Sequence, residues 1–298
     1  MTLHDRLDWR AIGLLVVVCA SWGLQQTAVK LSMDAVPPLI QASVRSLVAF
    51  VLVWIWMAVR RVPLFERDGT FWPGIGAGLL FGGEFLLIYW GLTFTGASRA
   101  IVFLYLSPFV VAIGVYLFVP GEFLKRGQVA GLVLAFVGIL TAFGENASSS
   151  DALSSDDTFL GDIMLVGAAV LWGATTVLIK ASRLATASAG KTLFYQLGVS
   201  AVMLPIGALA LGEVWTGSLP PLALGSLVFQ GIWIAFVTYL MWFWLVRHYP
   251  AARLTSFTFL TPLFGVLAGV AILGETVTPA FLVALGLVGT GIYLVNRR

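Results

Sequence analysis

Two charged residues stand deep inside apolar runs, and their positions define the chemistry this chain can offer. Arg45 lies seven residues into a run that opens at Pro38, and Glu84 thirteen residues into one that opens at Phe71. If consecutive runs are antiparallel helices rising ~1.5 Å per residue, the two side chains reach nearly the same depth, and Tyr105 in the next run meets them there. A charge in hydrocarbon is costly, so such groups face one another or a polar cavity. Arg45 and Glu84 are therefore expected to pair, with Tyr105 nearby. In this reading Arg45 is a structural or gating residue, while Glu84 faces the cavity to meet a ligand ammonium group or take a proton. Gln25 and Gln26 in the first run, Trp172 and Thr176 one turn apart in the sixth, and Tyr239 in the eighth add amides, a hydroxyl and rings. A cavity so lined suits flat, amphipathic solutes held by ring stacking or cation–π contact.

Other chemistries lack their residues. Cys19 is a lone cysteine within an apolar run, and His4 and His248 are too few and too distant in sequence to form a metal centre. Gly74-Ile75-Gly76 has no preceding strand and no P-loop lysine, so neither nucleotide binding nor ATP-driven work is expected. With no nucleophile, acid–base pair or metal cluster at a membrane boundary, the chain reads as a non-enzyme without cofactor. Its net charge of +3 is carried by scattered basic residues, which argues against nucleic acid as a partner and for a small solute and lipid.

The elements that must position these residues are membrane spans. The chain is 59% hydrophobic and 10% charged, a balance that only an integral membrane protein tolerates. Ten runs of about 20 apolar residues are expected as helices: Ala11 to Leu31, Pro38 to Val59, Phe71 to Leu92, Ala97 to Val119, Gln128 to Phe143, Leu160 to Ala181, Thr192 to Leu211, Pro221 to Leu245, Ala251 to Leu273 and Pro279 to Val295. The Ser- and Asp-rich stretch 146–159, which contains the sequon Asn146-Ala147-Ser148, divides a first unit, 1–145, from a second, 160–298. Fourteen of the 17 basic residues fall on one side of this arrangement, leaving Lys30, Arg45 and Arg99, so both termini are expected in the cytoplasm.

The two units repeat one another. Trp22-Gly23 returns as Trp172-Gly173, Ala97-Ser98-Arg99 as Ala251-Ala252-Arg253, Ser107-Pro108 as Thr261-Pro262, and Gly121-Glu122 as Gly274-Glu275. An odd number of helices per unit inverts the second copy, the usual trace of a secondary transporter. Pro108 and Pro262 would then kink equivalent helices and act in gating. Glycines every four residues, at 74, 78 and 82 and at 265 and 269, mark faces where helices pack closely.

On Trp22-Gly23, Arg45, the Ala97-Ser98-Arg99-Ala100 start of the fourth helix, Ser107-Pro108, Gly121-Glu122 and the Gly131/Gly138 fifth helix, the chain resembles the drug/metabolite transporter superfamily in its EamA branch. Gly83-Glu84-Phe85 and Tyr105-Leu106-Ser107-Pro108 resemble YddG-type exporters of aromatic amino acids within it. The resemblance implies an all-α protein of two inverted five-helix repeats in a bacterial inner membrane. It implies export of aromatic amino acids, and of related aromatic or cationic compounds, by alternating access driven by a gradient of substrate or coupled ion.

Overall fold

A computed structural model describes residues 7–63, 66, 68–95, 97–122, 124–148, 155–217, 219–273 and 278–297, and ten of its helices are long and apolar enough to cross a membrane. They are α1 Trp9–Ser32, α2 Pro38–Val59, α3 Phe71–Gly91, α4 in two segments Ala97–Leu104 and Ser107–Phe118, α5 Arg126–Ser148, α6 Ser155–Ala181, α7 Ala189–Ala210, α8 Pro221–His248, α9 in segments Ala251–Phe257, Leu260–Ala268 and Gly269–Leu273, and α10 Pro279–Asn296. Local chemistry sets many of the ends. Asp8, Ser188 and Thr278 cap α1, α7 and α10 by accepting backbone N–H bonds, and Pro38, Pro221 and Pro279 open their helices where the missing N–H is harmless. Helices α5 and α6 run past the boundaries expected from hydropathy, to Ser148 and from Ser155, so Asn146 of the sequon lies in the last turn of α5. Polar residues extend a helix readily once it has left the hydrocarbon.

Packing reproduces the duplication. Helix α1 lies on α9 as α6 lies on α4; α8 on α1 as α3 on α6; α2 on α8 as α7 on α3; and the self-equivalent pairs α2–α7 and α5–α10 close the arrangement. The Trp-Gly motifs make two of these contacts. A Cβ on Gly23 would sit 2.6 Å from the Gly265 nitrogen and 2.7 Å from the Thr261 carbonyl of α9, and one on Gly173 2.5 Å from Val110 and 3.2 Å from the Ser107 carbonyl of α4. Each first helix thus touches the residue just before the partner repeat's proline. The stripe Gly74, Gly78 and Gly82 seats α3 on Tyr195, Val199 and Met203 of α7, as close approach of helices requires.

Both proline helices break one turn ahead of the ring, because Pro108 and Pro262 leave the carbonyl four residues back without its donor. In α4 the Leu106 N–H turns to Phe103 O at 3.1 Å, and in α9 the Thr258 N–H turns to Thr255 O at 3.1 Å. The breaks fall at Tyr105-Leu106 and Thr258-Phe259, one residue apart in the register of the repeat. Beyond them the segments part company. Ser107–Phe118 packs on Ala251–Phe257 at the face bearing the basic loops, whereas Ala97–Leu104 lies on α5 and α6, and Leu260–Ala268 on α1.

The basic face is closed. Glu122, after α4, accepts from Lys180 Nζ at the end of α6 (2.8 Å) and from the Ala251 N–H that opens α9 (2.8 Å), while Lys180 also donates to Tyr249 O (2.7 Å). A second tie joins Lys191 of α7 to Asp68 at 2.6 Å. At the opposite face Arg99 pairs with Asp162, which also accepts from Thr95 Oγ1 at 3.0 Å. The second Gly-Glu motif, Gly274-Glu275, and His4 lie outside the described residues.

Candidate functional site

Helix α1 locates the interior. One side binds α8, through Trp233 Nε1 to Ser21 Oγ (2.9 Å) and Ser226 Oγ to Ala28 O (2.6 Å); another binds α9, through Gly23 and through Cys19 Sγ to Phe257 O (3.3 Å). Val17, Leu24 and Leu31 face outward between them and are exposed. Trp22 and Gln26 lie roughly 160° and 200° round the helix from Leu24 at 100° per residue, so they point into the bundle. Gln26 is nonetheless exposed, whereas Trp22, one turn nearer the basic face, is half-buried. The interior is therefore open from the face opposite the basic loops down to about the level of Trp22.

Below that opening is an aromatic box. Trp22 Nε1 donates to Thr238 Oγ1 at 2.9 Å, which holds the indole against Tyr239 (ring centroids 5.7 Å) and Trp242 (5.3 Å). Tyr239 meets Phe81 edge-on at 5.6 Å, Phe81 meets Phe85 at 5.0 Å, and Phe85 carries the Arg45 guanidinium on its face at 4.2 Å. Glu84 shares α3 with Phe81 and Phe85, is buried, and lies within electrostatic reach of Arg45, as does Tyr239. Wide π-type turns over Phe229–Thr238 bring α8 close: Gly231 sits against Val48, with Arg45 Cα 3.7 Å from where its Cβ would be. Counted from the basic ends of α1, α2 and α3, Trp22, Arg45 and Glu84 all stand about 20 Å along their helices, near mid-membrane.

The expected Arg45–Glu84 ion pair does not form. Among the described residues neither charge has an ion-pair partner within 4.0 Å, because Arg45 lies over the Phe85 ring instead of reaching along α3. Tyr105 belongs to a neighbouring cluster rather than to Arg45: its ring meets Trp172 at 6.1 Å and Phe259 at 6.0 Å, with its hydroxyl beside Thr261 and Cys19. Gly83 seats α3 against Leu171 of α6, which brings Glu84 to about the level of Trp172. Thr176 turns its hydroxyl back to Trp172 O (3.5 Å) and is buried, so it supports the Trp172 turn. Gln25 is buried on the α8 side of α1, out of the opening that Gln26 faces.

Some lining residues escaped the sequence reading. Trp22 had been noted only for its repeat motif, and Gln196, Ser200 and Ser46 were not singled out; all three polar residues are buried where α2, α3 and α7 meet. A usable signal existed, since Pro38 and Ala189 open equivalent helices and this register pairs Arg45 with Gln196.

The EamA-like transporter family matches residues 9–144 and 159–297, in two blocks that coincide with the two repeats. An uncharacterized transporter of Bacillus subtilis, YvbV, is 27% identical over 96% of this chain and 91% of its own length. A probable amino-acid metabolite efflux pump of Salmonella typhimurium is 26% identical over 95% of this chain and 93% of its own, and one of Escherichia coli 25% identical over 95% and 93%. A solved crystal structure shares the fold with a TM-score of 0.79 over 94% of each chain at 19% identity.

Proposed function

The chain belongs to the EamA-like transporter family, and on that premise we propose that it exports amino acids with aromatic side chains across a bacterial inner membrane. The observation that carries this reading is the box of Trp22, Phe81, Phe85, Tyr239 and Trp242 around Glu84 at mid-membrane, beneath an opening at one face. Rings of this kind stabilise a planar apolar solute by about 0.5–1.5 kcal/mol per well-placed pair beyond its burial. A carboxylate beside them supplies the counter-charge for an α-ammonium group. The efflux of amino-acid metabolites named for two relatives agrees with this cargo class.

The basic face is assigned to the cytoplasm, with both termini there, because 14 of the 17 Lys and Arg residues gather on that side. The conformation described is then open outward and shut inward. Alternating access would unzip Ser107–Phe118 from Ala251–Phe257, flexing at the breaks before Pro108 and Pro262, and bring the opposite segments of α4 and α9 together. Glu84 is the acidic residue at the centre of that path, so proton coupling, where present, would run through it.

Counterflow in liposomes tests the assignment. Labelled phenylalanine, tyrosine and tryptophan should accumulate in vesicles preloaded with unlabelled substrate, saturably, with threonine a poor competitor. Flux of threonine or of cationic drugs in preference to the aromatic series would move the protein to another cargo class. Repeating the assay with a pH gradient decides the coupling.

A further inference from the structure

We propose that the Arg45 guanidinium forms a carboxylate subsite, so that the carrier takes aromatic solutes with a free carboxylate and leaves the corresponding amines behind. This rests on the aromatic amino-acid reading and names a second recognition point for the same cargo. Nε, Nη1 and Nη2 of Arg45 are all buried with no hydrogen-bond partner within 3.5 Å, the Tyr239 hydroxyl being the polar group beside them, and Nε2 and Oε1 of Gln196 and the hydroxyls of Ser46 and Ser200 are likewise buried without a partner. None of these four residues is more than 1% exposed. The antiparallel packing of α2 on α7 sets their relative depths. Leu39 and Ala42 pack with Leu204 and Ala208 at one end, and the Phe50 ring lies on Phe194 (4.9 Å) and against Gly198 at the other. That register sets Ser46 opposite Ser200 near the level of Arg45, and Gln196 a further turn toward the basic face, level with Phe50.

Most polar groups buried for structure alone are bonded, and in a cluster on α1, α2 and α8 every such group but Gln230 Oε1 has its partner. Nearer the opposite face, Ser32 Oγ bonds Gln41 Oε1 (2.9 Å) and Ser226 Oγ (3.1 Å), and Gln230 Nε2 reaches Gln41 Oε1 (2.8 Å). The Arg45 group has no such network. A guanidinium stays protonated and offers a planar fork of five N–H donors that matches a carboxylate in bidentate fashion. Phe85 covers one face of that fork and leaves its edges as the donors a ligand would use. Glu84, on the next helix and within electrostatic reach, stands where the α-ammonium of the same ligand belongs.

Binding to the purified full chain in nanodiscs tests this with L-phenylalanine, L-phenylalaninamide, 2-phenylethylamine, 3-phenylpropionate and L-alanine. Losing the hydrogen bonds of a charged group should weaken 2-phenylethylamine and the amide about 10- to 100-fold relative to phenylalanine. Arg45→Gln should erase that difference, and Arg45→Lys should restore part of it. The wild-type ligand series stands by itself if an Arg45 variant fails to fold. Equal affinity for phenylalanine and 2-phenylethylamine overturns the subsite and spares the aromatic reading. Alanine bound as tightly as phenylalanine overturns the aromatic reading and spares the subsite, and a series in which nothing binds overturns both.

Discussion

Replacing Glu122 by alanine should open the basic face. Its two carboxylate oxygens join the end of α6, through Lys180, to the start of α9, through the Ala251 N–H, and the Lys180 and Glu122 side chains are only 5% and 9% exposed. The substitution leaves a buried ammonium with a single bond, to Tyr249 O, and a backbone N–H without its acceptor. Breaking a buried pair by removing one partner costs about 3–5 kcal/mol. The cost falls on the conformation in which the basic ends of α4, α6 and α9 converge, because opening that face lets water solvate both orphaned groups. At ~1.4 kcal/mol per tenfold, the ratio of closed to open forms should fall by at least about a hundredfold. Thr255, on the first segment of α9, is 3% exposed here and reports the change. With Thr255→Cys in a Cys19→Ala background, a membrane-impermeant maleimide added at the basic face should label the Glu122→Ala protein much faster, and Glu122→Gln, which keeps one acceptor oxygen, by less. An unchanged labelling rate in a protein with an intact melting curve would refute the idea that this clasp holds the face shut.

Other consequences follow from contacts already described. Gly23→Ala places a methyl within 3 Å of backbone atoms on α9 and should cost about 1–3 kcal/mol, seen as a lower melting temperature in detergent, whereas Gly173→Ala, which meets mainly the Val110 side chain, should cost less. Asp68 sits beside the Lys191 ammonium and the Thr70 hydroxyl, which hold its carboxyl well below the usual carboxylate range. A depressed acid contributes stability above its unfolded value of ~3.9 and loses it as pH falls toward the folded one. Asp68→Asn should therefore melt lower than wild type throughout pH 5–8, and the two curves should converge only in stronger acid. Glu84→Gln should lower counterflow of aromatic amino acids at least about tenfold, in line with loss of a charged hydrogen bond, while leaving the melting temperature near that of wild type. Full flux with unchanged affinity would remove Glu84 from the site.

What could be read from sequence divides along physical lines. The ten spans were legible because hydrocarbon admits almost no charge, and the inversion because odd helix counts and repeated motifs, such as Arg99 and Arg253, leave no other arrangement. The prolines announced the breaks at Tyr105-Leu106 and Thr258-Phe259, and equal depth placed Arg45 and Glu84 within electrostatic reach of one another. Depth along a helix says nothing of azimuth, however, which is why Arg45 was assigned to Glu84 when it lies over Phe85, and why Tyr105 was placed beside Arg45 when it faces Trp172 and Phe259. Gln25 and Gln26 differ by 100° round α1, enough to bury one against α8 and turn the other into the opening. The role of Gly23 depends on which helix lies opposite, and that is a property of the assembled bundle.

The central claim is that cargo binds at mid-membrane between Arg45 and Glu84 within the box of Trp22, Phe81 and Tyr239. An experimental structure of the protein in nanodiscs with L-tryptophan tests it most directly. Ligand density is expected between Arg45 and Glu84, its carboxylate on the Arg45 guanidinium and its ammonium toward Glu84. Density confined to the lipid-facing groove of Leu24, Leu31 and Leu222, or to a site away from Arg45 and Glu84, would contradict it.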